Sequence, residues 1–432
     1  MGAGPAIPRR AVLAGGLAAT LWAWRNVAGR AEPAVRTLTA APSTLALAPP
    51  PAGPASGLAY DGTVPGPLLR LKFGEPLALR LVNRLAAPTA LSFPGLRIAN
   101  QAAGIAGLTQ EAIAPGGAAD IRFTPPDAGF NLYLAEAGAA TAGQRAAGLF
   151  GPIVVEEQTP PEIDLDAIIV VADWPAADGA TLISAGDAAA PKRLTAAPGA
   201  RVRLRLANAS AERLMTIAVA GAAPLIVAVD GQPSAPFAPL RNAFPMAAGA
   251  RFELIFDMPD GDVGFALSGA TTGEPDRPLV IFARAGVARP ARAEFSGLPT
   301  NPLLPKQIDL ARARRFGLSI AGGAGAPLTI NGESLIDWSG KPQFAVARGA
   351  PVTLALANAT AQAQTMRLGG HVARLLHALD DGWEPYWRDL FTIPPGKTVR
   401  LAFVADNPGK WPIASATPAA RAAGLCGWFA VA

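Results

Sequence analysis

The sequence predicts an all-β protein made of three consecutive Greek-key β-sandwich modules. Three observations carry that expectation. A strand-like segment recurs three times with its flanking turn residues in step. The chain holds 46 glycines and 43 prolines in 432 residues, a density that suits many short strands joined by turns. No long apolar period of 3.6 residues competes, so helices are expected only as short pieces in loops.

The first copy of the repeat is GEPLALRLVN, residues 74–83; the second is GARVRLRLAN, 199–208; the third is GAPVTLALAN, 349–358. Within each, apolar residues alternate with polar or small ones, as a strand buried on one face requires. A second turn-and-strand unit follows each copy: APGGAADIRF (114–123), AAGARFELIF (247–256) and PPGKTVRLAF (394–403). Their glycines Gly116, Gly249 and Gly396 stand 33, 41 and 38 residues beyond Asn83, Asn208 and Asn358. Composition divides the chain into modules over 32–158, 159–290 and 291–432. GPIVVEEQTPPEI (151–163) closes the first, and a Pro-rich connector, 286–307, precedes the third.

The opening residues, 1–31, read as an export signal. Arg9 and Arg10 precede an apolar run from Ala11 to Trp24, too short to span a bilayer comfortably. Paired arginines point to the twin-arginine route and a periplasmic destination; an ordinary secretory signal and an uncleaved anchor stay open. Contact with a membrane is expected only during export. The four arginines of this segment account for most of the net charge of +5. The remainder holds 33 basic and 32 acidic residues, so the high isoelectric point does not imply nucleic acid as a partner. A single cysteine, Cys426, excludes an internal disulfide.

Several stretches resemble the multicopper oxidases, the laccase-like family of three cupredoxin domains. YDGTVPGPLLRLKFGEPLALRLVNRL (60–85), GLRIANQAAGIAGLTQEAIAPGG (95–117), RFTPPDAGF (122–130) and RAAGLFGPIVVEE (145–157) are similar to its first domain. VAVDGQPSAPF (227–237) is similar to its second, and RDLFTIPPGKTVRLAFVADNPGKW (388–411) with AAGLCGWF (422–429) to its third. The resemblance implies three cupredoxin-like sandwiches and, in the family, copper held by histidines and one cysteine in four short motifs. Imidazole and thiolate suit that metal.

Read onto this chain, the four motifs carry other residues. The first becomes Ser92-Phe93-Pro94 and the second Tyr133-Leu134-Ala135-Glu136. The third runs from Gln364 through Arg367 and Gly369 to Gly370. The fourth is Ala414-Ser415-Ala416 with Ala420 and Leu425 beyond it. The middle of the fourth, ASATPAARA, reads as nearly empty of chemistry. No copper, other metal or organic cofactor is therefore expected, and no catalytic residue is assigned. Glu136 and Arg367 are expected to meet in the vacated centre as an ion pair replacing metal cross-links. His371 and His377 are the only histidines. They are expected to be packed or superficial, with a mononuclear site of His371, Cys426 and Met366 as the competing reading. DDGWEPYWRDL (380–390) places Trp383, Tyr386 and Trp387 among acids, as a packing motif or as an anchor for a partner.

The superfamily includes copper-less, twin-arginine-exported members that support bacterial division. The chain is similar to them in its signal, its modules and its replaced ligands, which does not carry the division role with it. The expected function is an exported, non-catalytic binding or scaffold protein of the cell envelope with an unknown protein partner. The alternatives are an oxidoreductase with atypical or weak copper binding, or an inactive paralogue paired with an active oxidase.

Overall fold

The computed structural model describes residues 34–47, 55–136, 143–175, 181–268, 276–377 and 382–432. The export signal expected over 1–31 lies outside them. Six sheets arise from three stretches of chain, and the strands of each sheet come from one stretch only. Residues 36–155 form two four-stranded sheets, 165–284 a seven- and a five-stranded sheet, and 314–431 two five-stranded sheets.

Each repeat copy is the hub of its module. Leu77–Asn83 runs parallel to Arg36–Leu45 and antiparallel to Ala118–Phe123. Arg201–Asn208 stands likewise between Leu165–Pro175 and Arg251–Asp257. Ala350–Asn358 stands between Arg314–Gly323 and Thr398–Ala405. A parallel neighbour requires a crossover, and in each module the chain between the two parallel strands passes through the other sheet.

The terminal asparagine of each copy closes the turn that follows. Asn83 Nδ2 donates to the carbonyls of Ala87 and Ile113, Asn208 Nδ2 to those of Arg213 and Met246, and Asn358 Nδ2 to those of Gln362 and Ile393. Each Oδ1 accepts a backbone N–H two residues on, at Leu85, Ser210 and Thr360. The amides of Gly116, Gly249 and Gly396 donate to the backbone oxygens of the same asparagines, at 2.9, 2.7 and 2.9 Å. These glycines have φ of +74°, +88° and +67°, the left-handed region that a side chain disfavours.

The second hub departs from the expected half-exposed alternation. All of Arg201–Asn208 is buried, arginines included. Its polar face turns toward the first module, and its arginines are neutralised by Glu253 and Asp166 of the second module and by Glu157 of the first. Arg203 Nε donates to Glu253 at 2.7 Å and its other nitrogens bind Glu157. Arg205 donates to Glu253 and Asp166, each at 2.8 Å. Glu253 also accepts the backbone N–H of Phe130 at 3.1 Å, across the boundary. An apolar cluster joins the same two modules through Phe130, Leu134 and Phe150 on one side and Val170, Trp174 and Ala207 on the other.

The Pro-rich connector carries no strand between Arg284 and Arg314. Asn301 pins it: Nδ2 donates to the Ala128 carbonyl and to Gln232, while Oδ1 accepts the Ala128 N–H. The first and third modules meet through Arg97, which binds Asp127 at 2.7 Å and Asp406 at 3.0 Å.

Candidate functional site: the seam between the first and third modules

The four motif stretches come together two by two. Ser92 and Leu134 are cross-strand partners in the first module, and Ser92 Oγ donates to Glu136 Oε2 at 3.0 Å. In the third module Met366 faces Ser415 and Arg367 faces Ala414 on neighbouring strands. Arg367 Nη1 then crosses the seam to Glu136 Oε1 at 3.4 Å. Two small cavities flank this contact. One, of about 40 Å³, is lined by Ser92, Pro94, Glu136, Arg367 and Gly369. The other, of about 20 Å³, is lined by Glu136, Arg367, Ala414, Ser415 and Arg421.

The remaining motif positions serve the cores. Leu134 belongs to the cluster between the first two modules, Ala416 to the second-module core and Leu425 to the third-module core. Ala420 is packed against the last of these. Gln364 is buried, and its Nε2 donates to Thr360 Oγ1 at 3.1 Å. Ser415 Oγ lies 3.1 Å from Thr417 Oγ1 and accepts the Thr417 N–H at 3.2 Å.

The pair expected from sequence is part of a larger network. Arg421 Nη2 reaches the same Glu136 oxygen at 3.5 Å. The stretch read as empty therefore supplies a charge, one residue after Ala420. Asp389 Oδ1 takes Arg251 Nη2 at 2.6 Å. Asp389 Oδ2 lies 3.4 Å from Arg367 Nε, close enough to attract but out of line for a hydrogen bond. The Asp230 carboxylate lies 3.7 Å from the Arg251 guanidinium and accepts the Arg251 backbone N–H at 3.2 Å. Arg145 has backbone oxygens as its partners: those of Ala209, Ser210 and Ala416. Arg145, Arg251, Asp230 and Asp389 are signalled in sequence only as charges set beside apolar runs, as in VAVDGQ, GARFELIF and RDLF.

Burial opposes every charge here, and the balance differs from group to group. Burial works to raise the Glu136 pKa. Arg421, Arg367, Arg145 and the Ser92 hydroxyl outweigh it and hold the carboxyl below its usual range. Burial, then the neighbouring Arg367, brings Arg145 down to about 10, still cationic at neutral pH. Burial keeps the Asp230 carboxyl above its ordinary value, and Asp389 adds to that.

These residues do not fit copper. The Glu136 oxygens accept from Ser92 and face two guanidiniums, which have no lone pair to offer. Neither imidazole nor thiolate stands at any of the motif positions. Among the described residues no three His, Cys, Asp or Glu side chains gather as a metal site. His371 is buried, with Nδ1 3.0 Å from the Gly369 carbonyl and Nε2 accepting the Asn407 N–H at 3.3 Å, so both ring nitrogens are engaged. Cys426 is buried, and burial pushes its thiol up to about 12. His377 lies at the edge of a short bridge region and hydrogen-bonds through its backbone to Gly382. Tyr386 stacks on Phe237 of the second module, and Trp387 is buried under Arg374. That part of the aromatic stretch is packing; residues 378–381 lie outside the described chain.

Comparison with known proteins agrees with this architecture. Residues 46–160 and 301–432 each match a family profile described as multicopper oxidase. The multicopper oxidase MmcO of Mycobacterium tuberculosis is 27% identical over 87% of this chain and 82% of its own length. Copper resistance protein A of Pseudomonas syringae pv. tomato is 29% identical over 40% of this chain and 29% of its own. Among solved structures, a multi-copper oxidase from Pseudomonas thermotolerans superposes with a TM-score of 0.82 at 24% identity, covering 92% of this chain and 99% of that one. Lac15 from a marine microbial metagenome gives 0.78 at 27% identity, covering 92% and 100%. On its repeats, its three pairs of sheets and these matches, the chain belongs to the multicopper oxidase family.

Proposed function

We propose that the chain is an exported envelope protein that uses the multicopper oxidase fold for binding or scaffolding, without copper-dependent oxidation. One observation carries the reading. At the positions where the family places its metal ligands, the polar side chains present are Ser92, Glu136, Gln364, Arg367 and Ser415, and Glu136 is engaged by Arg367 and Arg421. A cation entering this seam would meet arginines instead of nitrogen or sulfur donors. Arg9 and Arg10 ahead of an apolar run support export by the twin-arginine route to the periplasm. The partner in this reading is an unidentified protein of the envelope.

A second reading rests on the relatives. MmcO bears the name of a multicopper oxidase, and likeness to it over most of the chain favours an oxidoreductase with an atypical copper site. The two separate in one experiment. The purified protein is loaded with copper, dialysed, and assayed for bound metal and visible absorption. Our reading expects substoichiometric copper and no blue band. Stoichiometric copper with a blue band would overturn it in favour of the oxidase.

A further inference from the structure

A groove of about 290 Å³ opens where the second module, the connector and the third module meet, far larger than the seam cavities. None of the family's ligand positions lines it. Among the described residues its walls carry two cations, Arg374 and Lys306, and no acidic side chain. The Arg374 guanidinium lies 4.9 Å from the centre of the Trp387 ring, which covers one face of it. Its Nε is buried without a hydrogen-bond partner. Ser234, only 7% exposed, lines the same groove, and its Oγ is likewise buried and unpartnered. Buried donors of this kind are few in native proteins and each calls for a partner, a water, an ion or a ligand. Proline rings, Pro305 and Pro385 among them, supply rigid apolar walls between these polar groups.

We infer that this groove binds a small organic acid. The carboxylate lies against Arg374 and Lys306, the Ser234 hydroxyl donates to it, and the apolar body rests on the proline walls. A guanidinium fork suits the two oxygens of a carboxylate, and a mixed apolar and polar lining is the usual make-up of a small-molecule site.

Isothermal titration of the folded full chain with benzoate tests this, with benzyl alcohol and inorganic phosphate as comparators. Benzyl alcohol keeps the body without the charge; phosphate keeps the charge without the body. Benzoate is expected to bind at least about tenfold more tightly than either comparator, a difference of roughly 1.4 kcal/mol. R374Q is expected to weaken benzoate about tenfold or more, and K306M several-fold. Lys306 is exposed, so K306M reports on binding even if R374Q disturbs the fold. The inference is overturned by no benzoate binding, by phosphate binding as tightly as benzoate, or by benzoate affinity unchanged in K306M and in a folded R374Q.

Discussion

Around Glu136 the cations outnumber the anions, and single residues there answer to charge before shape. Replacing Glu136 with Gln takes from the buried Arg367 and the partly buried Arg421 the carboxylate they share. Removing one partner of a buried pair costs about 3–5 kcal/mol, and E136Q is expected in that range by chemical denaturation. The pH dependence has a definite sign. The folded pKa of Glu136 lies below its unfolded value, so its stabilisation is present above the ordinary carboxylate range and fades as pH falls through the folded value. E136Q should flatten that part of the stability curve. His371 supplies a second, separable arm. Burial, against a smaller opposing pull from the Gly369 carbonyl, lowers its pKa to about 4. The neutral ring is the folded form. Its contribution is therefore whole above about pH 6.5 and is lost as pH falls toward 4, an effect of roughly 3 kcal/mol. H371N keeps an N–H donor without titrating. Melting curves of H371N should lose the decline between pH 6.5 and 4 that the parent chain shows; an unchanged decline would assign it elsewhere.

At the scale of the element, what was legible was local. The hub strands and their glycines and asparagines were readable because one short segment contains both the strand and the turn residues it needs. Arg203 and Arg205 look in sequence like the wet face of a strand, and only a second module packed on that face turns them inward. The seam network was illegible for a related reason. Arg251 and Asp389 are 138 positions apart, and Glu136 and Arg367 are 231 apart. The Glu136–Arg367 expectation came from matching two motif frames; nothing comparable pointed to Arg145 or Arg421. Gly249 links the two kinds of feature. A methyl group there would meet the backbone penalty of φ +88° and also stand 2.4 Å from Arg367 Nη2. At Gly396, with φ +67°, a methyl group would find open space. Strained left-handed backbone costs about 1–3 kcal/mol. G396A should show that cost alone, and G249A should exceed it by about 1.5–3 kcal/mol, the scale of a hydrogen bond to a charged group. Equal losses in the two variants would mean that Arg367 yields freely.

At the scale of the whole molecule, the interfaces decide how the three sandwiches behave together. In many multidomain chains the modules meet over polar, hydrated surfaces and unfold one after another. Here the second module's hub is buried against the first, and Glu253 binds arginines of its own sheet while accepting the Phe130 N–H from its neighbour. Leu390 and Ala416 of the third module are part of the second-module core, and Ala103 and Ile105 of the first are part of the third-module core. Withdrawing any module would bare apolar side chains and leave buried guanidiniums without their carboxylates, a cost of several kcal/mol for each stranded charge. No module is then stable at temperatures where its neighbours have unfolded. Calorimetry should accordingly show one unfolding transition for the chain, with calorimetric and van't Hoff enthalpies in agreement. E253Q, which weakens the boundary between the first two modules, should lower the midpoint while leaving the transition single. Resolved transitions in the parent chain would mean that the seams are weaker than their burial implies and that the sandwiches fold as independent units.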